Sequence, residues 1–209
     1  MDGRVDAVLR WPVIAALRED RDLRELERHR AVATAFILWG DLLQLPRIVG
    51  QCKALGKAAF LHLDLVRGLA AEAEAVEYIA RVVRPDGLIT TKARLIPVAR
   101  EFGLLAIQRV FALDSKGFHT AVQMAEAVQP DAVEVLPGVV PRAIARLREA
   151  LTCPIVAGGL IETGADVEAA LAAGARAVSV SRHEVWRYRP TSAPPGTAGG
   201  GRNRPAEGE

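Results

Sequence analysis

The feature that most constrains the fold is an alternation of short apolar segments with helix-length segments, which occurs eight times along the chain. The apolar segments are rich in β-branched residues. The predicted strands span 12–17, 32–39, 58–65, 87–92, 104–110, 131–136, 154–158 and 175–181. A strand–helix–strand unit forms a right-handed crossover between parallel strands. The pattern therefore predicts an α/β protein built on a parallel sheet.

Two architectures accommodate these units, a closed (β/α)8 barrel of TIM type and an open, doubly wound sheet. Several predicted strands contain polar residues, whereas the strands of an open parallel sheet are covered on both faces and read as continuously apolar. This difference favours one small TIM barrel over residues 1–188. Residues 189–209 are rich in Pro, Gly and polar residues without a large apolar side chain, so they are predicted to form a disordered C-terminal tail.

Composition and simple motifs exclude several classes of protein. The formal net charge is +2, which does not by itself call for a nucleic acid or an acidic membrane. No apolar run approaches the roughly 20 residues of a membrane helix, and residues 1–13 lack the apolar core of a secretion signal. Cys52 and Cys153 are far apart, and no metal or nucleotide motif is present. We therefore expect a cytoplasmic protein with no metal site, and with His29, His119 and His183 on helix surfaces.

Polar residues end the second, third and fourth predicted strands, where TIM barrels carry their functional groups. His62 and Asp64 alternate with Leu61, Leu63 and Leu65, so the leucines are predicted to lie in the layer under the helices. The two polar residues are then predicted to face the barrel mouth; a structural His–Asp hydrogen bond is the alternative. Lys92 at the tip of strand four is interpreted as a contact for phosphate or carboxylate, as a Schiff-base lysine, or as a solvated side chain. Asp41 is either a site residue or the cap of a turn.

Strands five and six each contribute a charged residue. Gln108 and Arg109 point to opposite faces of strand five, and we expect Arg109 at the mouth with a carboxylate or phosphate partner. Glu134 lies between two valines of strand six and needs a partner if it is buried. An internal charge network and a ligand contact are compatible roles for these residues.

The seventh and eighth strands end in features of a phosphate site. Gly158 and Gly159 follow strand seven, where the absence of a Cβ lets backbone approach a ligand. Ser181 and Glu184 have capping-box spacing, which predicts a short helix after strand eight. Barrels commonly bind phosphate with these two loops. Gly158, Gly159, Ser181 and Arg182 are thus the predicted phosphate-binding residues; a tight turn without a ligand is the alternative.

The strand-end segments together resemble one known family. "LWGDLL", "FLHLDLVRGL", "DGLITTK", "IQRVFALDS", "VEVLPGVVP", "IVAGGLIET" and "AVSVSRHEVW" are similar to the glycerol-uptake operon antiterminators, over about residues 12–187. The resemblance implies a phosphate-binding TIM barrel that responds to glycerol 3-phosphate, binds the leader mRNA of glycerol-utilisation genes and prevents transcription termination. It assigns ligand contacts to Asp64, Lys92, Arg109, Glu134, Gly158, Gly159 and Ser181, with Asp41 and His62 of second rank.

Alternatives to this function stay open at the level of sequence. The first is a TIM-barrel enzyme of aldolase or isomerase type, acting on a small phosphorylated carbonyl or polyol substrate, with Asp64 or Glu134 as acid/base and Lys92 as imine former. The second is a scaffold that retains a phosphate site. For the regulator we expect glycerol 3-phosphate and leader mRNA as partners, no cofactor and no catalytic residue, with a homo-oligomer allowed. Arg142, Arg146 and Arg148 form either a basic stripe or a solvated helix surface.

Overall fold

Eight parallel strands close into a barrel in the computed structural model, which describes residues 3–189 of the chain. The strands are β1 (Val13–Leu17), β2 (Thr34–Ile37), β3 (Ala58–His62), β4 (Gly87–Thr90), β5 (Leu105–Phe111), β6 (Ala132–Leu136), β7 (Ile155–Gly158) and β8 (Ala177–Val180). β1 pairs with both β2 and β8, so the sheet has no free edge. This confirms the predicted TIM barrel and excludes the open sheet.

Eight α-helices are present between residues 3 and 189. They are α1 (Gly3–Val8), α2 (Asp20–Leu26), α3 (Leu45–Ala54), α4 (Ala73–Tyr78), α5 (Leu95–Glu101), α6 (Ser115–Val128), α7 (Pro141–Ala150) and α8 (Gly164–Ala172). A π-helical segment, Ile79–Val83, continues α4, and short 3-10 helices span Leu63–Leu65 and His183–Arg187. None of the helices described over residues 3–189 is both long enough and apolar enough to cross a membrane.

The strands separate two apolar layers. Outward residues such as Leu61, Leu88 and Val135 pack under the helices, while Phe36, Phe60 and other inward residues fill the barrel interior. Because side chains alternate along a strand, the interior residues also define which later residues face the mouth. The barrel interior is therefore a packed core closed below the site.

Helix α1 is an element that the sequence pattern did not predict. Its residue Val5 and the following Leu9 are buried and belong to the same cluster as the interior residues Phe36 and Phe60. The hydroxyl of Thr34 donates to the carbonyl of Val8 at 2.6 Å and ties this segment to β2. The segment thereby closes the amino-terminal end of the barrel.

The repeated Pro-Asp joints end two helical segments and also join neighbouring strands. Arg84 and Gln129, which precede the prolines, have φ values of 55° and 49°. Each following aspartate accepts a 2.8 Å hydrogen bond from a backbone amide of the preceding strand, Asp86 from Ala59 and Asp131 from Ala106. These carboxylates fix the start of β4 and β6 relative to their neighbours.

The third strand is shorter than predicted, and its early end redirects the next residues. β3 ends at His62, and Leu63–Leu65 forms a 3-10 turn. Alternation no longer applies beyond His62, so Leu65, which was expected in the buried layer, is 45% exposed. The turn carries Asp64 toward strand β4 instead. Of the predicted tail, residues 190–209 lie outside the described residues.

Candidate functional site

Residues near the carboxyl ends of strands β3, β5, β6, β7 and β8 meet at the mouth of the barrel. His62, Arg109, Glu134, Gly158 and Ser179 each follow an apolar residue of the barrel interior by two positions on the same strand. Strand alternation therefore directs all five toward the barrel axis. They form a polar layer directly above the apolar interior.

A buried ion pair is the centre of this layer. Arg109 and Glu134 are register partners on β5 and β6, and Arg109 Nε donates to Glu134 Oε2 at 2.7 Å. The hydroxyl of Ser179 donates to the other carboxylate oxygen, Oε1, at 2.6 Å. The Glu134 side chain is 1% exposed and that of Arg109 is 11% exposed. The expectation that Arg109 faces the mouth with a carboxylate partner is thus met, and Ser179 is a partner that sequence reasoning missed.

Gly158 provides the space for this network. It lies on β7, between the strands that carry Glu134 and Ser179. A Cβ at Gly158 would lie 2.7 Å from Glu134 Oε1 and 2.8 Å from Ser179 Oγ, both closer than real Cβ contacts. The first of the two adjacent glycines is therefore required by the protein's own hydrogen bond across β7.

Asp64 forms a second polar cluster with the end of β4. Its Oδ1 accepts from the Thr90 hydroxyl at 2.8 Å, and its Oδ2 accepts from the amide and hydroxyl of Thr91 at 2.6 and 2.7 Å. Burial opposes ionisation, but the hydrogen bonds from Thr91 and Thr90 outweigh it and hold the pKa of Asp64 below its ordinary value. The Asp64 carboxylate is therefore held ionised and oriented at the rim of the mouth.

Removing one of these donors should raise the pKa of Asp64. We expect Thr90→Val, which keeps the side-chain shape and deletes one hydroxyl donor, to raise the pKa of Asp64 toward its ordinary value. The measurement is a carbon-13 NMR titration of the carboxyl groups. Asp166 serves as the internal control, because hydrogen bonds from the Glu162 amide and from Thr163 also lower its pKa. An Asp64 titration that is identical in the variant and the wild type would contradict this account.

His62 lies among these groups as a buried imidazole. It is 2% exposed, and neither ring nitrogen has a hydrogen-bond partner in the described part of the chain. Burial and the charge of Arg109 lower the pKa of His62 to about 4, although Asp64 opposes this shift. The ring is therefore neutral at pH 7. The predicted structural hydrogen bond between His62 and Asp64 does not form.

Lys92 and Asp41 lie at the periphery. Lys92 is exposed, and its Nζ lies 3.4 Å from the carbonyl of Ala71, without an ion pair among residues 3–189. Asp41 Oδ1 accepts from the amides of Leu43 and Gln44 at 3.1 and 3.0 Å. Asp41 therefore has the turn-capping role that was one of its two predicted roles.

The loops after β7 and β8 offer free backbone donors. The amides of Gly159 and Ser181 donate no hydrogen bond within residues 3–189, and Gly159 has φ of 77°. Arg182, which is 58% exposed, pairs with Glu162 at 3.0 Å. The predicted helix does follow, over His183–Arg187, but its N-cap is Arg182 with no side-chain cap bond. The capping box expected from Ser181 and Glu184 is therefore wrong, because the helix starts one residue later.

An apolar groove of about 400 Å³ adjoins Arg109 and Thr91, between β5 and α6. Phe111 and Leu113 on its wall are 49% and 75% exposed. Sequence reasoning missed this groove, although the apolar residues after Arg109 in "IQRVFALDS" were a visible signal. Across the described residues, no group of three His, Cys, Asp or Glu side chains is arranged to hold a metal ion.

Residues 13–186 match the model of the family described as glycerol-3-phosphate responsive antiterminator. The chain is also 33% identical over 175 residues to the uncharacterised protein YgcP of Escherichia coli strain K12, covering 84% of this chain and 91% of that protein. The match to the family model spans all eight strands of the barrel.

Two crystal structures share the fold and about a third of the sequence. The glycerol uptake operon antiterminator regulatory protein of Listeria monocytogenes is 34% identical, with a TM-score of 0.78 over 83% of this chain and 94% of that one. A glycerol uptake operon antiterminator-related protein of Thermotoga maritima is 33% identical, with a TM-score of 0.75 over 84% and 98%. A deoxyribose phosphate aldolase of Aeropyrum pernix, 18% identical with a TM-score of 0.65 over 88% and 90%, shares the barrel fold alone.

Proposed function

We propose a ligand-controlled RNA-binding function for this chain, which belongs to the family of glycerol-3-phosphate responsive antiterminators. The protein binds glycerol 3-phosphate at the barrel mouth, and the bound ligand controls the binding of the protein to leader mRNA. In that role it prevents transcription termination ahead of glycerol-utilisation genes. The main support for ligand binding is the position of the polar layer of Arg109, Glu134 and Ser179, which lies beside the unbonded backbone amides of Gly159 and Ser181.

The phosphate of the ligand binds the loops after β7 and β8. The free amides of Gly159 and Ser181 point to a backbone cradle, which suits the oxygens of a phosphate group. Arg182 is an exposed arginine on a neighbouring loop, and its carboxylate partner, Glu162, is itself more than half exposed. It can exchange this weak surface pair for a phosphate contact, since guanidinium groups match phosphate geometry. Lys92 adds a mobile positive charge from the opposite side of the mouth.

The hydroxyl groups of the ligand face the polar layer. Asp64 accepts hydrogen bonds as a carboxylate at the rim, and the enclosed neutral ring of His62 lines the layer beneath it. Glu134 is enclosed and both its oxygens are occupied, so it acts by holding Arg109 in place. The site thus distinguishes a phosphorylated polyol from inorganic phosphate by the contacts below the phosphate cradle.

An imine-forming aldolase function is disfavoured by the position of the lysines in the described part of the chain. An imine-forming lysine is made nucleophilic by desolvation or by a neighbouring cation, but Lys92 is exposed. The buried lysine, Lys57, donates to the carbonyls of His29, Arg30 and Val32, at the opposite end of the barrel. Borohydride reduction in the presence of dihydroxyacetone phosphate or glyceraldehyde 3-phosphate is therefore not expected to trap an adduct.

Thermal unfolding tests the ligand. At a concentration one hundred times its Kd, glycerol 3-phosphate should stabilise the wild type by about 2.7 kcal/mol, and glycerol or inorganic phosphate at the same concentration should stabilise it less. We expect Lys92→Ala and Gly159→Val to reduce this stabilisation. Gly56→Val is the matched control, because Gly56 has a similar φ of 70° in a turn remote from the mouth. No stabilisation of the wild type by any phosphate compound would refute the ligand assignment.

The control of RNA binding by the ligand has a separate test. A gel-shift titration with leader RNA, with and without glycerol 3-phosphate, should show an affinity that changes with the effector, since the effector must bind one RNA-binding state better than the other. An RNA affinity that is unaffected by saturating effector would contradict the regulatory coupling while leaving ligand binding intact.

A further inference from the structure

The amino-terminal end of the barrel carries a second cavity, remote from the mouth. It measures about 560 Å³ and lies between the loop that follows α2 and the end of the last 3-10 helix. Its lining residues are Glu27, Arg28, His29, Arg30, Ala31, Trp186, Arg187 and Arg189. Four of these eight side chains are arginines and one is a carboxylate, so the cavity carries excess positive charge.

Much of this charge is unneutralised by the protein. Arg28 pairs with Glu25 at 2.9 Å, but Arg30 and Arg187 have no ion-pair partner among the residues described. Lys57 lies beneath the same loop, 7% exposed, and donates to three backbone carbonyls rather than to a carboxylate. Like charges held together in this way repel one another, and a bound anion relieves the repulsion.

Aromatic rings pack beneath and beside the cavity. Trp186 is fully buried, donates from Nε1 to the carbonyl of Val180 at 2.7 Å and stacks edge-on against His29 with a centroid distance of 5.4 Å. Arg189 lies 5.0 Å above the ring of Trp11. His29 is 5% exposed, so its predicted surface position is wrong, because it packs under Trp186. The backbone on both sides of the cavity is therefore joined through the contact between His29 and Trp186.

One short element joins this cavity to the mouth. The 3-10 helix His183–Arg187 begins directly after Ser181 and Arg182 and ends at Arg187, a wall of the cavity. Five residues at about 2 Å rise each place the two ends roughly 10 Å apart. His183 Nε2 lies 2.8 Å from Asp22 Oδ1, which anchors the upper turn of this helix to α2. The β8 loop and Arg187 therefore lie at the two ends of one short helix.

We propose that this arginine cavity, defined by Arg28, Arg30, Arg187 and Arg189, binds the backbone phosphates of single-stranded RNA. The proposal rests on the proposed antiterminator function and assigns the RNA surface within it. Arginine binds phosphate through paired, charge-assisted hydrogen bonds. A concave cavity admits the nucleotides of an unpaired strand, which can splay apart, whereas a rigid double helix presents no such segment. The shared 3-10 helix then couples the effector site to the RNA site.

Fluorescence anisotropy with a labelled 20-nucleotide oligouridylate tests the assignment on the full chain. In 50 mM salt we expect Arg30→Gln/Arg187→Gln to weaken binding roughly fiftyfold and to flatten the slope of log K against log salt by about 1.4, since each lost phosphate contact contributes about 0.7. Arg142→Gln/Arg146→Gln on α7 removes the same charge from the other basic surface and should change binding by less than about threefold. Circular dichroism verifies that both variants fold.

Each alternative outcome has a defined meaning. Wild-type affinity in the Arg30/Arg187 variant, or an equal loss in the α7 variant, overturns the cavity as the RNA site while the antiterminator function stands. Absence of oligouridylate binding by the wild type overturns the cavity as a general binding site for RNA phosphates, and the gel shift with leader RNA decides the antiterminator function separately. Displacement of the RNA by a polyglutamate peptide of equal length and equal affinity overturns the choice of RNA and indicates an acidic protein partner.

Discussion

Replacement of Glu134 by alanine is expected to lower the free energy of unfolding by about 3–5 kcal/mol, because it leaves a nearly buried guanidinium without its counter-ion. Arg109 has an 11% exposed side chain, and Glu134 is its sole ion-pair partner among residues 3–189. The same change deprives the Ser179 hydroxyl of its 2.6 Å acceptor. Urea unfolding followed by circular dichroism measures the loss.

Two further variants separate charge from shape at this site. Glu134→Gln keeps an oxygen for Ser179 but removes the charge, so it should be destabilising by less than Glu134→Ala. The double variant Arg109→Met/Glu134→Leu removes both charges, and its loss should be smaller than the sum of the single losses, since no unpaired ion remains. A loss below about 1 kcal/mol for Glu134→Ala would place this pair among weak surface pairs and contradict the buried network.

Acidification below pH 6.5 is expected to destabilise the protein through His62. The pKa of His62 is lowered from 6.5 to about 4, so the unfolded chain binds a proton between these values and the folded chain does not. Stability from this group is therefore fully present above pH 6.5 and is lost as the pH falls toward 4, by roughly 3 kcal/mol at most. Asp64, whose pKa is also lowered, contributes its own loss at a lower pH, below its ordinary value of 3.8.

The measurement is the unfolding free energy at several pH values from 7 to 4. In His62→Asn the slope over this window should be shallower than in the wild type, whatever the absolute stability of the variant. His119→Asn is the control, because His119 is exposed on α6 and its replacement should leave the slope unchanged. Equal slopes in the wild type and His62→Asn would show that the imidazole is not held neutral by its surroundings.

The strand ends show where the alternation of side chains along a strand stops predicting the direction of a residue. On β5 alternation allowed only one of Gln108 and Arg109 to face the mouth, and the need of a buried arginine for a partner favoured Arg109, which does face inward and contacts Glu134. The same rule failed for Leu65, because β3 ends at His62 and a 3-10 turn follows. The rule holds only as long as the strand does, and the sequence does not mark that point.

The sequence predicted the positions of the site residues better than it predicted their hydrogen-bond partners. Thr90 and Thr91 hold Asp64 from a different strand, 26 and 27 residues later in the chain. Ser179 reaches Glu134 across 45 residues of sequence, over a glycine whose missing Cβ makes the contact feasible. Such pairs depend on barrel register, which is set by closure of the whole sheet.

The sequence by itself determined the eightfold strand–helix order, and with it the barrel and the edge where polar residues collect, because these follow from local periodicity and short connections. Only the tertiary structure decided that Gly158 makes room for the Glu134–Ser179 hydrogen bond and that His29 is buried under Trp186. It also decided that arginines from distant parts of the chain, such as Arg28 and Arg187, share one cavity. These features arise where distant segments meet at fixed distances, and a one-dimensional pattern carries no record of those distances.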